Sequence, residues 1–170
     1  MQIFILDYDI KKNTEYYCDK HINKILTEIC QMLSTVYRDF TIDKEAPDFI
    51  YKATHRKHPC VLWIKKKWAN MKYTIDLANA LYNEYQFRYN KPDKHIRNKK
   101  IIDFCYKHLS SVIDENLTPF ALAMPDKYKT DDTVKSYRNY YLGEKKHLFK
   151  WTNRETPYWI KEIQKEEKQR

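Results

Sequence analysis

One glycine in 170 residues, Gly143, is the feature that most restricts what this chain can fold into. At average usage of about 7%, roughly 12 glycines would be expected. Glycine supplies positive φ and close backbone approach, so architectures that require it at fixed places fall away. No Gly-x-Gly-x-x-Gly loop and no Walker-type phosphate loop can be present. No Asn-Gly or Asp-Gly hairpin turn exists either. Glycine-cradled nucleotide binding is thereby excluded and a hairpin-rich barrel is disfavoured. With the helical periodicities of the chain, the expected fold class is all-α, a compact single-domain helical bundle with at most one short N-terminal strand. Any phosphate it binds must be held by cationic side chains and helix starts.

Hydrophobic periodicity places the helices. From a cap at Asn13 or Thr14, a helix is predicted to about Tyr37, with Cys18, Ile22, Ile25, Ile29, Met32, Leu33 and Val36 on one stripe. Pro59 suits a first helical position, with His58 before it. That second helix is predicted from Cys60 to about Tyr89, carrying Ile64, Trp68, Met71, Ile75, Ala78, Tyr82 and Tyr85. A basic break, Asn90 to Lys100, precedes a third helix over Lys100 to Ile113. Asp131 or Asp132 caps a fourth, to about Trp151. Residues 3–6 read as a short strand or an extended lead-in. Residues 40–57 read as a loop with one helical turn around Pro47, and residues 118–130 as a second loop. The domain spans residues 1–159, and 160–170 form a charged tail.

Lys and Arg outnumber Asp and Glu by 32 to 23, a net charge of +9. A surplus of that size in a small domain points to a polyanion, nucleic acid and DNA in the first place. No run of 18 apolar residues is present, so no membrane span is expected. The N-terminus lacks the basic start of a signal peptide. Four cysteines without a disulfide pattern suit an intracellular protein, in the cytoplasm or nucleus of a host cell.

Two constellations carry candidate chemistry. At 100° per residue, His21, Lys24, Glu28 and Gln31 fall about 60–140° to one side of the Cys18–Val36 stripe. A polar band at the rim of a core suits the lining of a cleft; it equally suits a solvated face with a Lys24–Glu28 pair. The second constellation is His55-Arg56-Lys57-His58 just before a helix start, where main-chain N–H groups favour an anion. Lys91, Lys94 and Arg97 in the basic break, and Arg138 among Tyr137 and Tyr141, add cations beside aromatics for phosphate contact and base stacking. Cys18-x-x-His21 and His58-x-Cys60 match no standard zinc spacing, so neither a metal nor a cofactor is expected.

Asp19-x-His21 followed by Glu28, seven residues after the histidine, resembles the first catalytic helix of the phage pyrimidine-dimer DNA glycosylase/AP lyase family. His58-Pro59-Cys60-Val61-Leu62-Trp63 is similar to the histidine that opens that family's long amphipathic helix. The Tyr- and Trp-rich stretch from Tyr137 to Trp159 looks like its C-terminal segment. The pattern also resembles phage and large-virus proteins. The resemblance covers roughly the first 90 residues and, weakly, the end. It implies a nearly all-α fold, nucleotide flipping, and attack of an N-terminal α-amine, here on Met1, at a sugar C1′. Glu28 would stabilise the cationic sugar and move protons, with His21 lining the cleft. The sequence departs from that family at Thr27 and Gln31, where arginines flank the glutamate. It departs again at Gln2, whose bulk favours retention of Met1.

The resulting expectation is a DNA-binding protein acting on a nucleobase or N-glycosidic bond. Two other classes remain open. One is a transferase or hydrolase acting on modified pyrimidine bases or nucleotides, which requires His21, Glu28 and His58 to converge on a small pocket. The other is a non-catalytic nucleic-acid-binding or host-interaction protein.

Overall fold

The structure, a computed structural model, describes residues 1–41, 46–109 and 116–169. Among them are seven α-helices and no strand: α1 (Ile10–Tyr16), α2 (Asp19–Phe40), α3 (Pro59–Lys66), α4 (Trp68–Tyr89), α5 (Ile96–Leu109), α6 (Thr133–Lys145) and α7 (Tyr158–Lys168). Short 3₁₀ turns lie at Asp126–Tyr128 and Lys146–Leu148. The all-α expectation holds. Residues 3–6 are an extended, fully buried lead-in rather than a strand. Two side chains take the place of a pairing strand: Tyr17 Oη accepts from Phe4 N, and Asn13 Oδ1 accepts from Leu6 N.

The central helix is α4, which packs against α1, α2, α3 and α5; α2 also packs on α3 and α5. The α2 stripe from Ile22 to Val36 is buried as its periodicity predicts. Full burial of such a side chain stabilises the fold by about 1.5–3 kcal/mol.

All four predicted helices differ in their bounds from the sequence reading. The first is two helices. Asp9, not Asn13 or Thr14, caps α1, accepting from Lys12 N. The chain then runs extended through Tyr17 and Cys18 because tertiary partners take up the freed groups: Cys18 N donates to Tyr141 Oη, and Asp19 N to the Lys150 carbonyl. The second breaks at Lys67, which is fully extended; Asn70 Nδ2 satisfies the Trp63 carbonyl left open there. Ile64, Met71, Ile75, Ala78 and Tyr85 of the predicted face are buried, whereas Trp68, beside the break, is exposed and Tyr82 is half-buried. The fourth stops at Lys145, capped at its start by Asp132. Asn90, in the left-handed region at φ 47°, ends α4, and α5 starts at Ile96, inside the expected basic break. Residues 110–113 of the third predicted helix lie outside the described residues. His58 caps α3 with Pro59 in its first turn, as read. A turn does form at Pro47, whose carbonyl accepts from Ile50 N. α7 crosses the expected domain boundary, burying Trp159 and Ile160.

A buried ionic cluster joins these elements. Arg88 donates to Glu84 (2.8 Å), Asp19 (3.1 Å) and the Glu15 carbonyl (3.0 Å). Arg154 closes on both oxygens of Glu84. Asp19 also accepts from the main chain and hydroxyl of Thr152. Burial works against the charged form of Asp19, yet the Thr152, Tyr89 and Arg88 hydrogen bonds hold its carboxyl below the ordinary range. Asp19 of the Asp-x-His pattern is thus an anchor for the start of α2.

Candidate active-site cavity

Three α2 residues, His21, Lys24 and Glu28, fall on one face because they are spaced by three and four. They line a cavity of about 270 Å³ together with Met1, His58 and, from α6, Tyr140 and Lys145. Phe4, Gln2, Ile25 and Ala123 complete its walls. The buried lead-in brings the chain start here. The α-ammonium of Met1 lies 3.7 Å from Glu28 Oε2, while Lys24 Nζ lies 3.7 Å from Glu28 Oε1. The Glu28 side chain is only 14% exposed. Gln2 Nε2 donates to the Ala123 carbonyl, pinning the lead-in to the loop.

His21 is buried, stacked on Phe4 at 4.8 Å between ring centroids. Tyr141 Oη accepts from Cys18 N–H and is hydrogen-bonded to His21 Nδ1 at 2.7 Å. Burial first, then the charges of Lys145, Lys24 and His147, push the His21 pKa down to about 4. His58 is lowered by burial first, then by the α-ammonium and His55, with Glu28 opposing. Both imidazoles are therefore neutral near pH 7 in a positive surrounding. His58 Nδ1 also accepts from Cys60 N, which fixes its ring at the start of α3.

The other expected binding residues divide by burial. Tyr137 and Tyr141 are buried and cannot stack on a base; Tyr137 donates to the Ala121 carbonyl and Tyr141 orients His21. Arg138 is committed to the Leu6 carbonyl and packs over Trp159. Its place on α6 ties that helix to the lead-in. Arg56 pairs with Asp39 at 2.7 Å. Arg97 donates to the Phe49 carbonyl with its guanidinium 4.0 Å above Tyr51. His55, Lys57, Lys91 and Lys94 are exposed, and half-buried Gln31 is not part of the cavity wall. The two cationic segments flank α2. Thr54 N donates to Thr35, His95 pairs with Asn23 at 2.7 Å, and Asn98 donates to Thr27. Thr27 is thereby engaged with α5.

Sequence reasoning placed Tyr140 and Lys145 among the cations and aromatics of the fourth helix but did not single them out. Nothing in the run Glu144-Lys145-Lys146 separates the residue that faces the cavity from its neighbours. The four cysteines are free and buried. Among the described residues, no group of three or more His, Cys, Asp or Glu side chains is arranged to hold a metal ion, and no helix is long and apolar enough to cross a membrane. No protein-family model matches the chain, and neither a curated protein nor a solved structure matches it.

Proposed function

We propose that this protein binds DNA and acts on a nucleobase or its N-glycosidic bond through the α-amine of Met1, with Glu28 as the acid–base partner. The observation that carries this reading is the amine held 3.7 Å from a largely buried carboxylate in a cavity lined by two neutral histidines. The amine lone pair forms the bond to sugar C1′ as the C1′–base bond breaks. The proton that the amine loses passes to the departing base, carried by Glu28. The C1′–O4′ bond then breaks as the amine nitrogen forms a double bond to C1′; O4′ takes a proton drawn from solvent through Glu28, and the carboxylate faces the resulting iminium. The surplus of +9 and the cationic segments on both sides of α2 supply strand contacts.

The test is borohydride trapping with abasic and UV-irradiated DNA, using protein whose Met1 is verified by intact mass. A reduced adduct on the α-amine, lost in Glu28→Gln, is expected. No adduct with Met1 intact refutes the reading. A second reading is favoured by the cavity volume of about 270 Å³, near the lower limit for small-molecule sites. It is a transferase or hydrolase acting on free, modified pyrimidine nucleotides. Turnover of such nucleotides without trapping on DNA would select it.

A further inference from the structure

We propose that Lys24 of α2 and Lys145 of α6 hold a phosphate group of the substrate at this cavity, an assignment that rests on the site reading above. In the cavity wall, three cationic groups, Lys24, Lys145 and the Met1 α-ammonium, face the single carboxylate of Glu28. The surplus of two positive charges has no protein counterpart there. Glu144, beside Lys145 in sequence, is taken up by Tyr128 Oη at 2.7 Å and Lys127 at 3.1 Å. Lys145 has no carboxylate within ion-pair distance among the described residues; its Nζ lies 5.0 Å from the centre of the Tyr140 ring. Both histidines are held neutral, so neither adds a negative or positive partner. Three cations sharing one carboxylate leave the half-enclosed site positive and call for an anion, and the placement of Lys24 and Lys145 on different helices lets them close on it from two sides. The sugar attached to that phosphate then lies within reach of Met1 and Glu28.

Phosphate has two sources here, an internal diester of a strand or the terminal monoester of a nucleotide. Calorimetry at low salt with thymidine 5′-monophosphate and with a thymidine trinucleotide lacking terminal phosphates separates them; the tighter ligand names the source, and either supports the assignment. Lys24→Gln and Lys145→Gln should each weaken the tighter ligand about tenfold. Lys135→Gln, an exposed cation at the other end of α6, should leave affinity unchanged. The assignment is overturned if neither ligand binds, if the double variant binds as well as wild type, or if Lys135→Gln costs as much as the cavity lysines. Phosphate binding without borohydride trapping removes the amine chemistry alone. Trapping without lysine-dependent phosphate binding removes the phosphate site alone.

Discussion

Arg88→Met is the perturbation that tests the buried ionic cluster most directly. Arg88 is 2% exposed, and its guanidinium spends its donors on two carboxylates and a carbonyl from three separate stretches of chain. Methionine fills much of the same volume, so packing changes little and the electrostatic loss dominates. Each hydrogen bond to a charged partner contributes about 1.5–3 kcal/mol. The loss is not the full sum, because Glu84 keeps Arg154 and Asp19 keeps Thr152. Removing one member of a buried pair costs about 3–5 kcal/mol, which suits two partly supported carboxylates. At about 2–4 °C per kcal/mol for a chain of this size, Tm should fall by about 6–20 °C. Guanidinium titration with the m-value unchanged gives the free energy directly. Arg88→Lys should recover only part, since one ammonium cannot reproduce the fork that meets Glu84 and Asp19 together. A loss below about 1 kcal/mol for Arg88→Met would show that the cluster does not clamp α2 to α4.

Two further outcomes follow from buried or crowded positions. The folded His21 pKa, about 4, lies below its ordinary value of 6.5. The unfolded chain therefore takes up a proton first as pH falls. The stabilisation by neutral His21 is complete above pH 6.5 and is lost as pH falls toward 4, by up to about 3 kcal/mol. Denaturant titrations from pH 7 to 4.5 should show this slope reduced in His21→Gln; equal slopes would contradict it. At Gly143, an added Cβ would sit 2.5–2.8 Å from the Tyr128 ring and hydroxyl. Helix propensity favours alanine by about 1 kcal/mol, but displacing Tyr128 breaks its bond to Glu144 and its contact with Tyr140. Thermal unfolding should show Gly143→Ala as destabilising by about 1 kcal/mol in the wild type and stabilising by about 1 kcal/mol in a Tyr128→Ala background, and the same sign in both would refute the close-approach account.

Local pattern was enough for much of this protein. The scarcity of glycine removed loop-based nucleotide folds, and the period of the stripe from Ile22 to Val36 identified a buried helical face, because a helix repeats every 3.6 residues whatever surrounds it. The same period brought His21, Lys24 and Glu28 onto one side of α2, and Pro59 marked the start of α3 through its fixed φ. The break at Tyr17–Cys18 was not legible, because the groups that make it affordable lie about 120 residues away, at Tyr141 and Lys150. The break at Lys67 carries no proline or glycine to announce it. Cations and aromatics in α6 read alike in sequence, yet long-range packing divided them: Tyr137 and Tyr141 went inward, Arg138 went to the lead-in, and Lys145 went to the cavity. The cavity itself is a tertiary product. Its carboxylate, its two histidines, its α-amine and its second lysine come from four separate segments, and only the packing of α2, α3, α6 and the buried lead-in brings opposite charges within 4 Å and strips the imidazoles of water.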